Sequence, residues 1–404
     1  MDNTCIHVVG GLYREECMRP GWREIYGSAG RAASAIAAAG GKACLHGYAD
    51  TLASDNFLQR AALEQYKVNL TDVADATTFQ YVHGLGTPTI TTQAASHPSL
   101  TISQERVVRF GMLEGDAVVH ANFAVYDPQN VSNPRHFAEN GSTATHLALV
   151  LNRYEAAVLS GIDGSPLEMA QALVSASRAQ VVIIKLGPQG ALVYADGQEA
   201  QVPAFRTDKV WKIGSGDTFV ANFAHHWMSG QPAGQAAILA SRATAYYCQF
   251  RGFATPGQLA AYWPTPVELS ARCLKGYRPK VYLAGPFFTL AQLWLVEQAR
   301  EQLHALGLDV FSPYHDVGHA SANDVAAKDL AAIDNCDVLF AIADGLDSGT
   351  MYEIGHAQAR QKSVVIYCEN EADNHLKMMV GAGCIVSKDY VSAIYQTLWT
   401  AIEL

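Results

Sequence analysis

The sequence lacks several features that mark nucleic-acid-binding, secreted or scaffold proteins. It has no low-complexity tract, no run of Lys and Arg, and no C-x-x-C pair among its 8 cysteines. The missing basic run, together with a formal net charge of -10, argues against a nucleic-acid polymer as partner. Without paired cysteines neither a zinc knuckle nor a redox motif is indicated, and we expect reduced, mostly buried thiols.

Long apolar runs are also missing. No stretch reaches the length of a membrane span, and the N-terminus lacks the basic and apolar regions of a signal peptide. We therefore expect a cytoplasmic protein with no membrane partner. The 404 residues, of which 49% are hydrophobic, exceed what one core usually spans and predict two globular domains.

Apolar runs typical of strands alternate with Ala-rich helical runs along most of the chain. "CIHVVGG", "GRAASAIAAAGG", "KACLHGYAD" and "NFLQRAALEQY" follow one another near the start, and "KVYLAGPFF" restarts the alternation after residue 279. This pattern predicts α/β architecture, with parallel strands and helices on both sheet faces.

A stretch that contains four prolines, Pro256, Pro264, Pro266 and Pro279, interrupts the alternation. We predict a first domain at 1–262, a linker at 263–279, and a second, smaller doubly wound parallel-sheet domain at 280–404. No internal repeat relates the two halves.

The first candidate site is "KIGSGDTF", in which Gly214, Ser215 and Gly216 precede Asp217 at the start of a helical pattern. Backbone N–H groups at a helix start stabilise a phosphoryl group, and a carboxylate there can accept the proton of an attacking hydroxyl. The plainer alternative is an ordinary Asp that is stabilised by the helix dipole. From this motif alone the two interpretations are about equal.

Several segments in order resemble the ribokinase-like (PfkB) family of sugar and nucleoside kinases over roughly residues 5 to 255. They are "YGSAGRAASAIAAAGG", "CLHGYADTLASDNF", "LALVLNRYEAAVLSG", "VVIIKLGPQGALVY" and "KIGSGD". The resemblance implies a ribokinase-like αβα fold, ATP with Mg²⁺ as cofactors, and Asp217 as the catalytic base. It further implies a group of residues that bind the nucleotide: Gly214, Ser215, Gly216, Asn152, Glu155, Lys185, Gly187 and Gly190. None of them is expected to bind Mg²⁺ directly, and Glu155 is expected to help position the ion indirectly.

The acceptor side departs from the family pattern. The implied substrate-binding residues are Gly27, Gly30 and Arg31, where Arg31 or a neighbour replaces a usual Asn, and "GGLYREE" replaces a usual Asp. The Asp-Thr that opens the family's late motif is replaced by Lys and aromatic residues. We therefore expect an acceptor pocket unlike that of a plain ribokinase. Three charged residues could contact the acceptor substrate: Arg31, Arg14 and Glu15. For each of them, exposure at the surface without a role in binding is an equal alternative.

The second candidate site contains Glu353, in "DGLDSGTMYEIGHA". Breaking an N-glycosidic bond develops positive charge at C1′, which a carboxylate can stabilise and capture, while a second acid protonates the departing base. From Lys280 onward the chain resembles the nucleoside 2-deoxyribosyltransferase family. The resemblance implies Glu353 as nucleophile and Tyr282 close to it. Asp329 and Asp347 are candidates for the proton or the sugar hydroxyls, and "AGPFF" (Gly285, Pro286, Phe287 and Phe288) offers a turn and aromatic faces for a base.

Plainer alternatives exist for each of these acids. Thr350 and Glu353 have the spacing of a capping box, Asp347 suits a turn, and Asp329 suits a solvated helix position. Their common order and spacing favour the functional interpretation. Three histidines of this region lack the spacing of metal ligands: His315, His319 and His356. We expect them at the surface or in a pocket wall.

Together these segments predict a bifunctional enzyme of nucleoside metabolism. One activity is ATP-dependent phosphorylation of a nucleoside or sugar hydroxyl. The other is N-glycosidic cleavage or transfer on a nucleoside or its 5′-monophosphate through a covalent glycosyl-Glu intermediate. The alternative is a silent kinase fold that senses a nucleotide and regulates a single N-glycosidase domain. Small-molecule substrates are the expected partners. By family analogy we also expect a homo-oligomer, in which Asn374 and Met378 or Met379 serve a neighbouring subunit.

Overall fold

The computed structural model describes residues 4–92, 97–130, 133–318 and 322–404. The chain divides into two compact units. The N-terminal unit comprises Met1–Thr207 and Trp211–Pro266, and the C-terminal unit comprises Asp208–Val210 and Val267–Leu404. The division falls inside the proline-containing stretch.

Most strands of the N-terminal unit belong to one large sheet. The described strands are β1 (Ile6–Val9), β2 (Arg14–Arg19), β3 (Trp22–Ile25), β4 (Ala43–Ala49), β5 (Lys67–Asp72), β6 (Thr78–His83), β7 (Thr89–Thr91), β8 (Leu100–Phe110), β9 (Ala117–Asp127), β10 (Thr143–Asn152), β11 (Val181–Lys185), β12 (Ala191–Ala195) and β13 (Gln198–Val202). Nine of them form a sheet in the order β13-β12-β11-β10-β9-β8-β1-β4-β5, and a smaller sheet has the order β3-β2-β6-β7. The large sheet is parallel from β11 to β5, and β12 and β13 are antiparallel.

Helices cover both faces of the large sheet. They are α1 (Gly27–Ala38), α2 (Thr51–Glu64), α3 (Arg153–Ser160), α4 (Pro166–Ser177), α5 (Ser215–Met228), α6 (Ala233–Phe250) and α7 (Pro256–Ala261), with short 3-10 turns at Phe137–Asn140 and Gly187–Gln189. Two cores result: residues of α1, α5 and α6 pack on one face, and residues of α3 and α4 pack on the other. Strands such as "VVIIK" are apolar on both sides because both of their faces are buried.

The C-terminal unit is a smaller sheet of parallel strands. Its strands are β14 (Lys280–Ala284), β15 (Asp309–Phe311), β16 (Val338–Ile342), β17 (Ser363–Tyr367) and β18 (Ile385–Ser387), in the order β15-β14-β16-β17-β18. Its helices are α8 (Leu290–Ala305), α9 (Pro313–Asp316), α10 (Ala322–Asn335), α11 (Ser348–Ala359), α12 (Lys377–Gly381) and α13 (Tyr390–Glu403), with a 3-10 turn at Cys273–Lys275. The predicted α/β class, with a doubly wound second unit, is confirmed.

The strand order fixes where a ligand can bind in the C-terminal unit. The chain proceeds from β14 to β15 on one side and then crosses to β16 on the other side. Such a reversal opens a crevice beyond the carboxyl ends of the two central strands. β14 carries Tyr282, and the segment after β16 leads into α11, which carries Glu353. In the described part of the chain, no helix is both long and apolar enough to cross a membrane.

Candidate active sites

Asp217 is the third residue of α5, in the first turn, where N–H groups lack intrahelical partners. The preceding Gly214 has φ +77°, and a Cβ on it would lie 2.0 Å from Nε of Arg31. Only glycine fits this position, because any side chain would collide with the buried guanidinium. The glycine-rich turn was predicted to bring the backbone close to another group, and in the structure that group is the side chain of Arg31.

Arg31 is the centre of a buried charge network. Its side chain is 1% exposed and lies over Asp217, whose Oδ2 accepts a hydrogen bond from Nη1 at 2.8 Å. The same guanidinium donates to both carboxylate oxygens of Glu15 and, through Nε at 3.2 Å, to the hydroxyl of Tyr247. The surface alternative is wrong for Arg31 and Glu15, which are both buried. Arg14 instead pairs with Asp50 and is partly exposed.

Burial also changes the protonation of Glu15. Loss of solvent raises the pKa of this carboxyl, and the adjacent Arg31 opposes that rise. One cation thus serves two carboxylates, Glu15 and Asp217. Such a network is costly to break, because removal of the guanidinium would leave two buried acids without their shared partner.

A cavity of about 660 Å³ opens beside this network. Asp217, Gly214, Glu15 and Arg31 line it, and so does Gln129. The side-chain amide of Gln129 donates to Oδ1 of Asp217, so both oxygens of Asp217 have protein partners. Gln129 has φ +45°, a backbone conformation that non-glycine residues adopt rarely and that is found more often at functional sites.

Three neighbouring strands end in polar residues at one sheet edge. Asp127 ends β9, Asn152 ends β10, and Lys185 ends β11 opposite Asn152 in register. Nζ of Lys185 lies 2.6 Å from Oδ2 of Asp127, whereas Oδ1 of Asp127 is buried without a hydrogen-bond partner. Burial raises the pKa of Asp127 to about 7; Lys185 opposes the rise and Glu155 adds to it.

The sequence-predicted pair Asn152 and Glu155 forms a capping box at the start of α3. Each side chain accepts a hydrogen bond from the other residue's backbone N–H at 2.8 Å. Glu155 is buried and its charge acts on Asp127 and Lys185. Two carboxylates therefore face one lysine, and one carboxylate oxygen lacks a partner. This excess of negative charge fits a divalent cation held nearby.

Two lysines lie close to the Gly214–Gly216 turn. A Cβ on Gly216 would lie 3.8 Å from Nζ of Lys185. Nζ of Lys212 donates to Oγ of Ser215 at 3.2 Å, and burial lowers the pKa of Lys212. The turn thus combines helix N–H groups with two ammonium groups, an arrangement suited to an anion.

The other predicted glycines occupy turns or close contacts between elements. Gly190, at φ +96°, closes the turn between β11 and β12, and a Cβ on it would lie 2.0 Å from the carbonyl oxygen of Val202. Gly187, at φ +60°, opens the same turn. Gly27 and Gly30 let α1 approach Gly11 and Phe57. Ligand contacts of these glycines stay a prediction.

Glu353 and Tyr282 meet in the C-terminal unit. Tyr282 is fully buried on β14, and its hydroxyl donates to Oε1 of Glu353 at 2.5 Å. Burial raises the pKa of Glu353 to about 7; the hydrogen bond from Tyr282 opposes the rise, and the charges of Asp329 and Asp347 add to it. Burial, followed by the Glu353 charge, also raises the pKa of Tyr282 well above its usual value, so the phenol remains a proton donor.

The capping-box alternative for Glu353 is wrong. Helix α11 begins at Ser348, and its N-cap is Asp347, whose Oδ2 accepts from the backbone N–H and the hydroxyl of Thr350 at 2.9 and 3.1 Å. Glu353 therefore lies in the second turn, one turn deeper than a residue at the helix mouth. Its carboxylate contacts Tyr282 rather than a backbone N–H, while Asp347 performs the capping.

Asp329 lies on α10 and is buried, which contradicts the solvated alternative. Burial raises its pKa, and its Oδ1 has no hydrogen-bond partner. A buried carboxyl without a partner is costly, and a protonated form or a ligand relieves that cost. Asp329 is also close enough to Glu353 for its charge to act there.

The turn after β14 is tight and aromatic, as predicted. A Cβ on Gly285 would lie 3.1 Å from Cβ of Ile342, and Pro286 is buried. Phe287 packs against Tyr314 with ring centroids 5.2 Å apart, and Phe288 is 70% exposed. An exposed Phe beside the crevice offers a face on which a flat ring can stack.

Two of the three histidines singled out in the sequence lie within hydrogen-bond distance of carboxylates. Nε2 of His315 lies 2.6 Å from Glu297, and Nε2 of His356 lies 2.9 Å from Asp334. His319 lies outside the described residues.

Sequence reasoning missed Asp127, Gln129 and Lys212. Asp127 is the last residue of the strand segment "FAVYD", and Gln129 lies two residues beyond it. Polar residues at the carboxyl end of a parallel strand often bind ligands. The location of these two residues at the carboxyl end of a predicted strand was therefore the signal that could have identified them. Lys212 was noted only as a departure from the family pattern.

Two family models match the chain, in the expected order. The model of the pfkB family carbohydrate kinases matches residues 128–258, and the model of nucleoside 2-deoxyribosyltransferase matches residues 281–389. The two resemblances are therefore confirmed. Part of the N-terminal unit thus resembles the pfkB family carbohydrate kinases, and most of the C-terminal unit resembles nucleoside 2-deoxyribosyltransferase.

Relatives and solved structures resemble parts of the chain. A deoxyribokinase of Salmonella typhi is 34% identical over 85 residues, which are 20% of this chain and 27% of that protein. A fructokinase from Vibrio cholerae, solved with fructose, ADP and calcium, has a TM-score of 0.51 at 16% identity over 64% of this chain and 99% of its own. The Methanocaldococcus jannaschii nucleoside kinase of the ribokinase family has a TM-score of 0.50 at 12% identity, over 64% of this chain and 97% of its own. The structural likenesses establish the ribokinase-like fold.

Proposed function

We propose that this chain is a bifunctional enzyme of nucleoside metabolism. The N-terminal unit phosphorylates a hydroxyl of a nucleoside or sugar with ATP. The C-terminal unit cleaves or transfers an N-glycosidic bond of a nucleoside or its 5′-monophosphate through Glu353. The observation that carries the proposal is the contact between Glu353 and the buried hydroxyl of Tyr282, because it fixes a carboxylate whose pKa burial raises to about 7 at the crevice of the second unit.

In the kinase reaction Asp217 accepts the proton of the acceptor hydroxyl as that oxygen attacks. The first-turn N–H groups of α5, with Lys185 and Lys212, stabilise charge on the transferring phosphoryl group. Asp127 and Glu155 would hold Mg²⁺, directly or through water, at the sheet edge. When bound there, Mg²⁺ supplies charge neutralisation for the phosphates of ATP.

The acceptor is selected at the Arg31 network. Arg31 and Gln129 each donate one hydrogen bond to Asp217, so an entering hydroxyl uses a remaining lone pair or replaces one of these donors. We expect this crowding to favour acceptors whose other polar groups form hydrogen bonds with the amide or the guanidinium.

Replacement of Asp217 by Asn tests the kinase proposal. ATP consumption with a panel of nucleosides and sugars should fall by at least about 100-fold, because a base typically contributes that much, while ATP binding persists. Asp196→Asn, an exposed turn residue of the same unit, is the matched control. Absence of ATP turnover by the unaltered protein across the panel would contradict the kinase activity and favour the silent nucleotide sensor.

In the glycosidic reaction Glu353 attacks C1′ as the bond to the base breaks, giving a glycosyl ester that water or a second base then opens. Tyr282 orients the carboxylate before attack. Asp329 is better placed than Asp347 to protonate the leaving base, because burial raises its pKa and its Oδ1 has no protein partner. Asp347 is already engaged as the helix cap.

Glu353→Ala and Glu353→Gln should abolish release or exchange of the base, with the exposed Glu301→Gln as control. Mass spectrometry of products from a nucleoside mixture, with and without ATP, separates the activities. Phosphorylated nucleosides indicate the kinase, new base–sugar pairs indicate transfer, and free base indicates hydrolysis. Base release that survives in Glu353→Ala would reduce Glu353 to a structural residue.

A further inference from the structure

A cluster of two histidines and one cysteine lies on the large sheet of the N-terminal unit. His7 on β1 pairs in register with Cys44 on β4, and His46 follows Cys44 by two residues. Because strand side chains alternate between faces, all three lie on the same face. Nδ1 of His7 lies 2.9 Å from Nε2 of His46, and the three donor atoms all lie within 4.8 Å of one another.

These separations bracket the spacing of ligands around a small metal ion. Bond lengths of about 2.0–2.1 Å to nitrogen and about 2.3 Å to sulfur, in a tetrahedron, separate donor atoms by about 3.3–3.8 Å. The donors here can reach that spacing by small side-chain rotations without a change in the strands. A platform of two hydrogen-bonded strands is rigid, which favours a defined site.

The surroundings also suit metal binding. Cys44 and His46 are buried, and Nδ1 of His46 lies 3.4 Å from the side-chain nitrogen of Asn69, so a turned amide can accept a hydrogen bond from that ring. Cys5 precedes His7 by two residues and is near enough to Cys44 for its charge to act there. Burial raises the pKa of the Cys44 thiol to about 11, and Lys67, opposite Cys44 in register, opposes that rise; a bound metal ion would supply the remaining stabilisation of the thiolate.

We propose that His7, Cys44 and His46 bind a thiophilic divalent metal ion, zinc foremost, with Cys5 or water as fourth ligand. Two imidazoles and a thiolate are the donors that zinc prefers, and binding releases the thiol proton. Among the described residues that line the kinase cavity, none of the three is present. The ion would tie β1 to β4 and stabilise the fold. The competing explanation is a hydrogen bond between two neutral histidine rings.

Cobalt(II) titration of the chelator-treated full-length protein tests the site, because thiolate coordination gives a near-ultraviolet charge-transfer band that carboxylate or imidazole sites do not give. We expect one equivalent of Co²⁺ with this band, displacement by Zn²⁺, and a thermal midpoint that rises with Zn²⁺. Cys44→Ser should abolish the band if water is the fourth ligand and weaken it if Cys5 is, and His46→Gln should weaken binding at least about tenfold.

Two variants serve as controls. Cys17→Ser removes another buried thiol of the same unit, and His226→Gln alters another pair of adjacent histidines. Both should bind Co²⁺ as the unaltered protein does. If Cys44→Ser does not fold, the more exposed His7→Gln replaces it. Absence of a thiolate band, or a band unchanged in Cys44→Ser or His7→Gln, would overturn the proposal and leave only the hydrogen-bonded pair.

Discussion

Tyr282→Phe offers a sensitive test of the glycosidic site, because it removes one hydroxyl and leaves the buried ring in place. In the unaltered protein the hydroxyl donates to Glu353, and this hydrogen bond lowers a pKa that burial has raised to about 7. Without the donor the carboxylate loses stabilisation of its charged form only. We therefore expect the pKa of Glu353 to rise further in the variant.

The size of the effect follows from the strength of the lost bond. A hydrogen bond to a charged group contributes about 1.5–3 kcal/mol, and about 1.4 kcal/mol corresponds to one pH unit. The midpoint should then move up by about one to two pH units. At pH 7 the ionised fraction would fall from about one half to about one tenth or less, and kcat/KM would fall with it.

The assay is the pH dependence of kcat/KM for base release. In the unaltered protein kcat/KM should decrease about tenfold per pH unit below a midpoint near pH 7, because an acid must be ionised to act as nucleophile. Tyr282→Phe should lose activity at neutral pH and regain most of it at alkaline pH. Tyr367→Phe is the matched control, since the hydroxyl of Tyr367 also donates to a carboxylate, that of Glu369, at 2.9 Å.

A merely structural role for Tyr282 would lower kcat/KM equally at every pH. An unmoved midpoint in Tyr282→Phe, or the same upward movement in Tyr367→Phe, would refute the assignment of Glu353 as the titrating nucleophile.

Three further substitutions probe both units. Gly214→Ala should lower the free energy of unfolding by about 1–3 kcal/mol, because the added Cβ would lie 2.0 Å from the guanidinium of Arg31 at a residue with φ +77°. In the control Gly216→Ala the Cβ meets no atom closer than 3.8 Å, so its thermal midpoint should equal that of the unaltered protein. Equal midpoints of the two variants would contradict this explanation. Lys185→Met should lower the free energy of unfolding by about 3–5 kcal/mol, because it leaves the buried carboxylate of Asp127 without its cationic partner. The double variant with Asp127→Asn should recover much of that loss. A double variant that stays equally unstable would show that the ion pair is not the cause. Asp347→Ala should lose about 1 kcal/mol of cap stability while Asp347→Asn keeps it, so a large activity loss in the Asn variant would instead indicate direct chemistry.

The architecture was predictable because its signals are local. Apolar runs such as those of β11 and β16 are continuous where both sheet faces are covered, and their alternation with helices leaves few other topologies. The placement of Asp217 in the first turn of α5, and of Glu353 beside Tyr282, was also predictable, because each acid belongs to a short motif with a fixed spacing; their catalytic roles stay predictions. The turn glycine Gly214 followed from the same motif.

The partners of those two acids were not predictable from local signals. Arg31 and Gln129 are 186 and 88 residues away from Asp217 in the chain, and only the tertiary fold brings them to its two oxygens. The N-cap of α11 was left undecided for a related reason. Asp347 and Thr350 both precede Glu353 at spacings compatible with a helix start, and backbone geometry decides between them.

The two carboxylates differ in how their negative charge is compensated. Asp217 faces the permanent positive charge of Arg31, so its charge is balanced by a buried ion pair. Glu353 faces a neutral phenol and the negative charges of Asp329 and Asp347 instead. No cation of the described residues is among the groups that act on Glu353, so the negative charge of its ionised carboxylate is poorly compensated. A bond to a positively charged sugar carbon would neutralise that charge. A carboxylate with a cationic partner at the first site thus contrasts with one that lacks such a partner at the second, which supports the covalent role that we propose for Glu353.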